Sequence, residues 1–224
     1  MTYLIDMTCI KRKDFLETEK GKAVNHPVIA ISGLSGSGKS MYSTMLQKRL
    51  KEDYNLDMPI YESGAFFREQ AKELGMTVEE FGSMLKNDMK KAEEVDVAVD
   101  KRTLEMALEK PGIYLGRLTV YIIGEHGYKI FLKANPKLVA KRILADPNRD
   151  ETKRGLSLRQ ITDEIVKRDR DNTERYRALY GIDYGKDVPA CADIIVKNNH
   201  APELVFKDFY EPLVEWMKEK GYVK

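Results

Sequence analysis

The segment that most limits the fold of this chain is a glycine-rich loop placed between two regular patterns. Gly33–Ser40 reads Gly-Leu-Ser-Gly-Ser-Gly-Lys-Ser and fits G-x-x-x-x-G-K-[ST] at every fixed position. The apolar run Pro27–Gly33 before the loop predicts a buried strand, and apolar residues recur at helical spacing from Lys39 to about Asp53. A strand, a glycine-rich turn and a helix in this order predict a phosphate-binding loop in an α/β domain.

The chemistry of such a loop follows from its backbone. Glycines allow a tight fold in which successive N–H groups point inward at an anion, and the helix N-terminus adds partial positive charge. The lysine then reaches the β- and γ-phosphates, and the following hydroxyl ligates Mg²⁺. A flexible glycine-serine turn is the alternative, but it would not require the flanking strand and helix. We therefore predict a nucleoside triphosphate and Mg²⁺ as cofactors, with Ser40 as the metal ligand. The predicted nucleotide site comprises Gly33, Leu34, Ser35, Gly36, Ser37, Gly38, Lys39 and Ser40.

Short apolar strands alternate with helices along the rest of the chain. Further strands are predicted near residues 58–61, 113–115, 128–134 and 192–196. This alternation is typical of a parallel sheet covered on both faces, so we expect a three-layer α/β fold with five parallel strands. Helical excursions near 63–110 and 145–180 interrupt the alternation, and we expect substrate-covering segments there.

Composition narrows the class of protein. The 224 residues carry a formal net charge of +2, which argues against a dedicated nucleic-acid coat or a polybasic membrane clamp. Two cysteines are too few for a disulfide framework, and no apolar run is long enough to span a bilayer. We expect a cytoplasmic protein with small-molecule partners. Residues 1–26 mix charges with little periodicity and are expected to form a solvated extension or a short helix, with a targeting or partner role as the alternative.

Two arginines and a serine mark a possible second anion site. Ser63 and Arg68 follow the second predicted strand, and Arg117 follows the third. Ligands of open parallel sheets bind beyond the carboxyl ends of the strands. Ser63 and Arg117 should therefore share the rim that holds the phosphate loop, with Arg68 one turn into the helix that follows the second strand.

The long helix predicted from Ser157 to about Tyr180 carries a stripe that begins apolar and becomes basic. Arg168, Asn172 and Arg175 continue the spacing of the apolar residues before them. Arginines on such a stripe need an anionic partner, because an unpaired buried charge is costly. A phosphoryl group is the favoured partner, and snorkelling or pairing with acids in 169–174 is the alternative. The polar segment 149–155 is either a lid or a solvated loop.

From about Pro27 onward the chain resembles the archaeal-type cytidylate kinases of the nucleoside monophosphate kinase group. The resemblance rests on several stretches in order besides the phosphate loop. The most particular are Gly75-Met-Thr-Val-Glu-Glu-Phe81 and Tyr180-Gly-Ile-Asp183. The others are Ser63-Gly-Ala-Phe-Phe-Arg-Glu-Gln-Ala71, Val99-Asp-Lys-Arg102, Gly116-Arg-Leu118, Lys129-Ile-Phe-Leu-Lys-Ala134 and Arg168–Arg175.

The resemblance implies a core domain over 27–224, a monophosphate-binding insertion near 62–110 and a short lid near 145–156. It implies transfer of the ATP γ-phosphoryl group to CMP and dCMP, by a monomer or alternatively a dimer. The roles it implies are base reading by Ser63, monophosphate binding by Arg68 and Arg117, bridging of acceptor and phosphoryl group by Arg168 and Arg175, and a sugar contact by Asn172. Asp100 is expected at the acceptor, and Lys39, Arg117, Arg168 and Arg154 around the moving phosphoryl group.

Two departures from the family pattern concern the acceptor. Leu115 stands where the family usually has Glu before Gly-Arg-Leu, and Asn172 stands where an acid is common. They leave two alternatives open. One is a kinase for another small acceptor, for which Asp100 would be the nearest carboxylate base if that acceptor were a hydroxyl. The other is a nucleotide-dependent switch, although a simple switch has no second anion for an arginine array to hold.

Overall fold

The computed structural model describes Leu16 and residues 19–224. Five strands form one sheet in the order β2-β3-β1-β4-β5, and every neighbouring pair is parallel. The strands are β1 (Val28–Gly33), β2 (Ile60–Glu62), β3 (Gly112–Leu115), β4 (Tyr128–Lys133) and β5 (Ile194–Lys197). The predicted five-stranded parallel α/β fold is confirmed.

Helices connect the strands and cover both faces of the sheet, with a 3₁₀ turn at Gly124–His126 before β4. They are α1 (Lys39–Tyr54), α2 (Ser63–Glu73), α3 (Val78–Asn87), α4 (Met89–Glu109), α5 (Thr119–Ile123), α6 (Pro136–Ala145), α7 (Asp150–Lys153), α8 (Leu158–Tyr180), α9 (Asp187–Ala190) and α10 (Pro202–Glu219). Two capping boxes predicted from local sequence are present, Thr77 with Glu80 and Ser157 with Gln160.

The central strand β1 is buried on both faces, which explains its unbroken apolar sequence. Successive strand residues point to opposite faces, so Val28 and Ala30 join the core on one side while Ile29 and Ile31 join the core on the other. Helices α1 and α10 cover the second core, and α4, α5 and the end of α8 cover the first. The phosphate loop therefore leaves the rigid centre of the sheet.

Between β2 and β3 the chain forms three helices, α2 to α4, that build a small core of their own. Phe81 is fully buried there against Ala71, Leu85 and Val95. Asp88 separates α3 from α4 and caps α4 by accepting a hydrogen bond from the Lys91 amide at 3.0 Å. This helical unit forms one wall of the cleft described below.

The described residues that precede β1 lie against the body of the domain. The Gly21 amide donates to Glu125 at 2.6 Å, and the Tyr222 hydroxyl donates to the Val24 carbonyl at 3.4 Å. His26 Nε2 lies 3.0 Å from the Ala107 carbonyl. Within Leu16 and residues 19–224, no helix has the length and apolar character needed to cross a membrane.

Candidate active site

A cleft of about 560 Å³ opens at the carboxyl ends of β1, β2 and β3. Its position is the one that parallel α/β sheets use for ligands. Five cationic side chains and three carboxylates line it, together with the glycine-rich loop. The charged lining residues are Lys39, Arg68, Arg117, Arg168 and Arg175 with Glu62, Asp96 and Asp100.

Lys39 is folded onto its own loop. Its ammonium donates to the Gly33 carbonyl at 2.7 Å and to the Leu34 carbonyl at 3.3 Å. The pKa of Lys39 is lowered to about 8, chiefly by burial and next by the nearby charge of Arg117, while the charge of Asp169 opposes the shift. A bound anion would favour the protonated form of Lys39 and so raise its pKa again.

Two side chains far away in sequence donate hydrogen bonds to carbonyls of the loop. The Tyr184 hydroxyl donates to the Gly33 carbonyl at 2.7 Å, and the Asn198 amide donates to the Ser37 carbonyl at 3.0 Å. Gly38 has φ +94°, and a Cβ there would lie 2.9 Å from Asn198 Nδ2. These two hydrogen bonds fix the backbone of the loop at Gly33 and Ser37. Neither Tyr184 nor Asn198 was a predicted site residue.

The junction after β3 is packed too tightly for any side chain at Gly116. A Cβ there would lie 2.3 Å from Thr119 Oγ1 and 2.5 Å from Ser63 Oγ. Ser63 donates to the Leu115 carbonyl at 3.1 Å, which joins the start of α2 to the end of β3. This close approach brings Ser63 and Arg117 to the same wall of the cleft, as the sequence predicted.

Glu62 brings a carboxylate to the position next to Leu115. The parallel register of β2 and β3 pairs these two residues. Glu62 lines the cleft and lies 3.6 Å from the Arg68 guanidinium, in a loose and partly exposed ion pair. Sequence reasoning missed Glu62 because the strand register that places it beside Leu115 cannot be read locally.

Helix α4 contributes two carboxylates, one turn apart, on the face toward α8. Asp96 accepts a two-pronged hydrogen bond from Arg175, whose Nε and Nη2 meet the two carboxylate oxygens. Asp100 accepts from the Tyr180 hydroxyl at 2.7 Å. Burial raises the pKa of Asp100 to about 7, and the charge of Asp96 adds to the rise. The spacing of four residues was a sequence signal for this pair.

The residues predicted on α8 and in the segment before it lie in three different environments. Arg168 and Arg175 line the cleft, whereas Asn172 is 6% exposed and its Nδ2 has no hydrogen-bond partner among the described residues. Arg154 is not among the lining residues of the cleft and pairs instead with Glu164 at 3.1 Å. The structure thus brings together Ser63, Arg68, Asp100, Arg117, Arg168 and Arg175 with the phosphate loop, but not Arg154 or Asn172.

Fold and cleft together define a P-loop kinase, an ATP-dependent phosphotransferase. The model of the cytidylate kinase-like family matches residues 28–200. The chain belongs to this family.

Two curated relatives support the same assignment, and a solved structure shares the fold. The chain is 36% identical over 182 residues to a cytidylate kinase of Pyrococcus horikoshii, covering 80% of this chain and 84% of the relative. It is 34% identical over 180 residues to a cytidylate kinase of Thermococcus kodakarensis, covering 80% and 83%. The fold is similar to that of a shikimate kinase from Bacteroides thetaiotaomicron, with a TM-score of 0.54, 16% identity, and coverage of 84% and 98%.

Proposed function

We propose that this protein transfers the γ-phosphoryl group of ATP to CMP and dCMP, giving ADP and the nucleoside diphosphate. The observation that carries the proposal is that the phosphate loop and the arginine cluster line one continuous cleft. A phosphoryl group can pass directly between two bound nucleotides only when both sites open into the same space. The names of the archaeal relatives support CMP as the acceptor.

The donor half of the site is the phosphate loop with Lys39 and Ser40. The loop amides and Lys39 would hold the β- and γ-phosphates. Ser40 and Glu62 both present oxygen atoms to the cleft, and oxygen ligands suit Mg²⁺. These two residues would hold the ion, which supplies positive charge against the triphosphate.

The acceptor half is the wall formed by α2, α4 and the end of β3. Arg68 and Arg117 would grip the monophosphate, because a guanidinium can bind two phosphate oxygens at once. Arg68 holds Glu62 only loosely at 3.6 Å, so it can turn to the acceptor at low cost. An ionised monophosphate oxygen is already a nucleophile, so the transfer requires no general base.

Arg168 and Arg175 would complete the positive surroundings of the moving phosphoryl group. Phosphoryl transfer passes through a loose transition state whose charge lies on the equatorial oxygens. Fixed guanidinium groups stabilise that charge without reorganisation at the moment of reaction. Asp96 accepts two hydrogen bonds from Arg175, and this contact limits the conformations that the arginine can adopt.

Asp100 and Ser63 are the candidates for reading the base. Cytosine offers an amino donor and a ring-nitrogen acceptor side by side, and a protonated carboxyl group offers the matching acceptor and donor. Because the pKa of Asp100 is about 7, both forms of this carboxyl are present near neutral pH. A protonated carboxyl can exchange its donor and acceptor oxygens, so Asp100 can also pair with uracil and does not by itself reject it. Asn172 would adjoin the sugar only after a shift of α8, because it does not line the cleft and its Nδ2 is buried.

Residues 145–156, which include α7, would form the lid. Arg154 would reach the donor phosphates by exchanging Glu164 for them, because its present ion pair is exposed and weak. Lid closure would exclude water and so suppress futile ATP hydrolysis. In this arrangement 62–110 is the monophosphate-binding insertion of a single catalytic domain over 27–224.

The test is a set of initial rates of ADP release at fixed Mg-ATP with CMP, dCMP, UMP, AMP and GMP. CMP and dCMP should stimulate turnover far above the rate without acceptor. The Lys39→Ala variant, which lacks the phosphate-loop cation, should show no transfer. Preference for another acceptor would replace CMP in the proposal, and ATP hydrolysis that no acceptor stimulates would refute it.

A further inference from the structure

The carboxylate of Asp169, on helix α8, accepts a hydrogen bond from the phosphate loop. The Ser35 amide donates a hydrogen bond of 2.9 Å to Asp169 Oδ1, across 134 residues of sequence. Asp169 follows Arg168 directly on α8, and both Arg168 and Ser35 line the cleft. Asp169 also lies close enough to Lys39 to raise the pKa of its ammonium against the effect of burial. One carboxylate of α8 therefore binds an amide of the phosphate loop and lies near the lysine of that loop.

The Ser35 amide belongs to a part of the loop whose neighbouring amides are already hydrogen-bonded within the protein. The Leu34 amide donates to the Leu132 carbonyl at 3.1 Å, and the Ser37 amide donates to the Leu34 carbonyl at 3.1 Å. These bonds, with that from Ser35 to Asp169, fix the outer turn of the loop. The amides at and after Gly38 open α1 and carry its partial positive charge toward the cleft. Asp169 therefore takes an amide at the edge of the loop and leaves the helix N-terminus available.

We propose that Asp169 is a positioning residue that fixes α8 to the phosphate loop, so that the guanidinium of Arg168 is held over the phosphoryl group that Lys39 binds. Successive helix residues are about 100° apart around the axis, so Asp169 at the loop fixes the direction in which Arg168 projects. A hydrogen bond to a carboxylate is stronger than one between neutral groups, which suits a tie of this kind. The inference rests on the proposed function only for the role of Arg168.

The first experiment measures kcat and both KM values for Asp169→Ala and Asp169→Asn, with Asp171→Ala as the control. Asp169→Ala should lower kcat about tenfold or more with the KM for CMP changed less than about threefold. Asn keeps an oxygen acceptor for the Ser35 amide and should restore most of kcat. Asp171 is an exposed carboxylate of the same helix, with only a 3.9 Å ion pair to Arg170, and its loss should change nothing. A kcat for Asp169→Ala within twofold of the parent would overturn the proposal, as would a lower KM for ATP, which would show that Asp169 competes with a phosphate.

A second experiment asks whether Asp169 acts through Arg168. In an Arg168→Ala background the further change Asp169→Ala should cost less than about twofold in kcat, because the residue being positioned is already gone. Full additivity of the two losses would contradict the mechanism.

A third measurement does not depend on turnover. Hydrogen exchange of the Ser35 amide, followed by NMR in the nucleotide-free protein, should accelerate at least about tenfold in Asp169→Ala and remain as in the parent in Asp171→Ala. If the parent protein shows no CMP-stimulated ADP release, the proposed function fails while this measurement still decides whether the tie exists. Unchanged exchange in Asp169→Ala would refute the tie itself.

Discussion

Asp100 gives a prediction in which stability and pH are linked through one group. It is a carboxyl in the cleft, bonded to the Tyr180 hydroxyl at 2.7 Å, and burial raises its pKa from 3.8 to about 7. A carboxyl whose pKa is higher in the folded state binds its proton more tightly there than in the unfolded chain. Its contribution to stability is therefore complete below about pH 4 and is lost as the pH rises to about 7. The substitution Asp100→Asn keeps an oxygen for Tyr180 and removes the titration.

The size of the effect follows from the same numbers. Between pH 5 and pH 7 the unfolded carboxyl is ionised while the folded one is still largely protonated, so each pH unit costs about 1.4 kcal/mol. Because the folded carboxyl is half ionised at pH 7, the parent protein should lose about 2 kcal/mol of unfolding free energy over this interval relative to Asp100→Asn, and almost no more above pH 8. All other titrating groups are common to both proteins and cancel in the difference.

Urea unfolding of the nucleotide-free proteins at pH 5, 6, 7 and 8 measures this difference directly. Asp163→Asn, which removes an exposed carboxylate of α8, controls for the loss of one negative charge. The gap between Asp100→Asn and the parent should widen with pH, whereas the gap for Asp163→Asn should stay constant. Parallel profiles for Asp100→Asn and the parent would show that Asp100 is solvated in the folded protein and would refute the reasoning.

Four further predictions test the two halves of the cleft. Because the pKa of Lys39 is about 8, kcat/KM for ATP should fall above pH 8. Bound phosphate raises that pKa, so kcat should fall only at higher pH. If kcat and kcat/KM fell at the same pH, this prediction would be wrong. Asn198→Ala should raise the KM for ATP and cost about 1–3 kcal/mol in urea unfolding, because it removes the donor to the Ser37 carbonyl. Tyr42→Phe removes only the hydrogen bond from Tyr42 to Asn198, which does not touch the loop, and should change both quantities less. Gly116→Ala should lower Tm, with a cost of about 1–3 kcal/mol, because its Cβ has no room; an unchanged melting curve would show that the junction adapts. Arg117→Ala should raise the KM for CMP and lower kcat, and an unchanged acceptor profile in the rate assay would show that Arg117 does not hold the acceptor.

Local patterns predicted the framework of the molecule well. The phosphate loop, the capped starts of α3 and α8 and the five strands each depend on residues that are close in sequence. The boundaries were less exact, since β2 covers Ile60–Glu62 rather than 58–61 and β5 covers Ile194–Lys197 rather than 192–196. The short helices α5 and α9 were not predicted, because one or two turns leave no periodic signal.

The predicted basic residues other than Arg154 converge on the cleft, as the rule about parallel sheets and the stripe on α8 indicated. Their partners do not follow from any local rule. Arg175 needed an acid, as its place on the stripe indicated, yet the acid is Asp96, 79 residues away, rather than a neighbour in 169–174. Asn198 reaches the Ser37 carbonyl across 161 residues. Side chains that support a site through the third dimension carry no spacing in the sequence, so they become visible only when the fold is known.

The excess of cations over carboxylates in the cleft links the structure to ligand binding. Burial lowers the pKa of Lys39, and the charge of Arg117 lowers it further, so the empty site is electrostatically unfavourable. The carboxylates do not remove this cost, because Asp96 is committed to Arg175 and Asp100 is partly protonated near neutral pH. Phosphate groups of two nucleotides would supply negative charge beside the cations of the cleft. Because both nucleotides would relieve repulsion among the same cations, the first to bind leaves less repulsion for the second to relieve. Electrostatics alone should therefore make binding of each nucleotide weaken binding of the other.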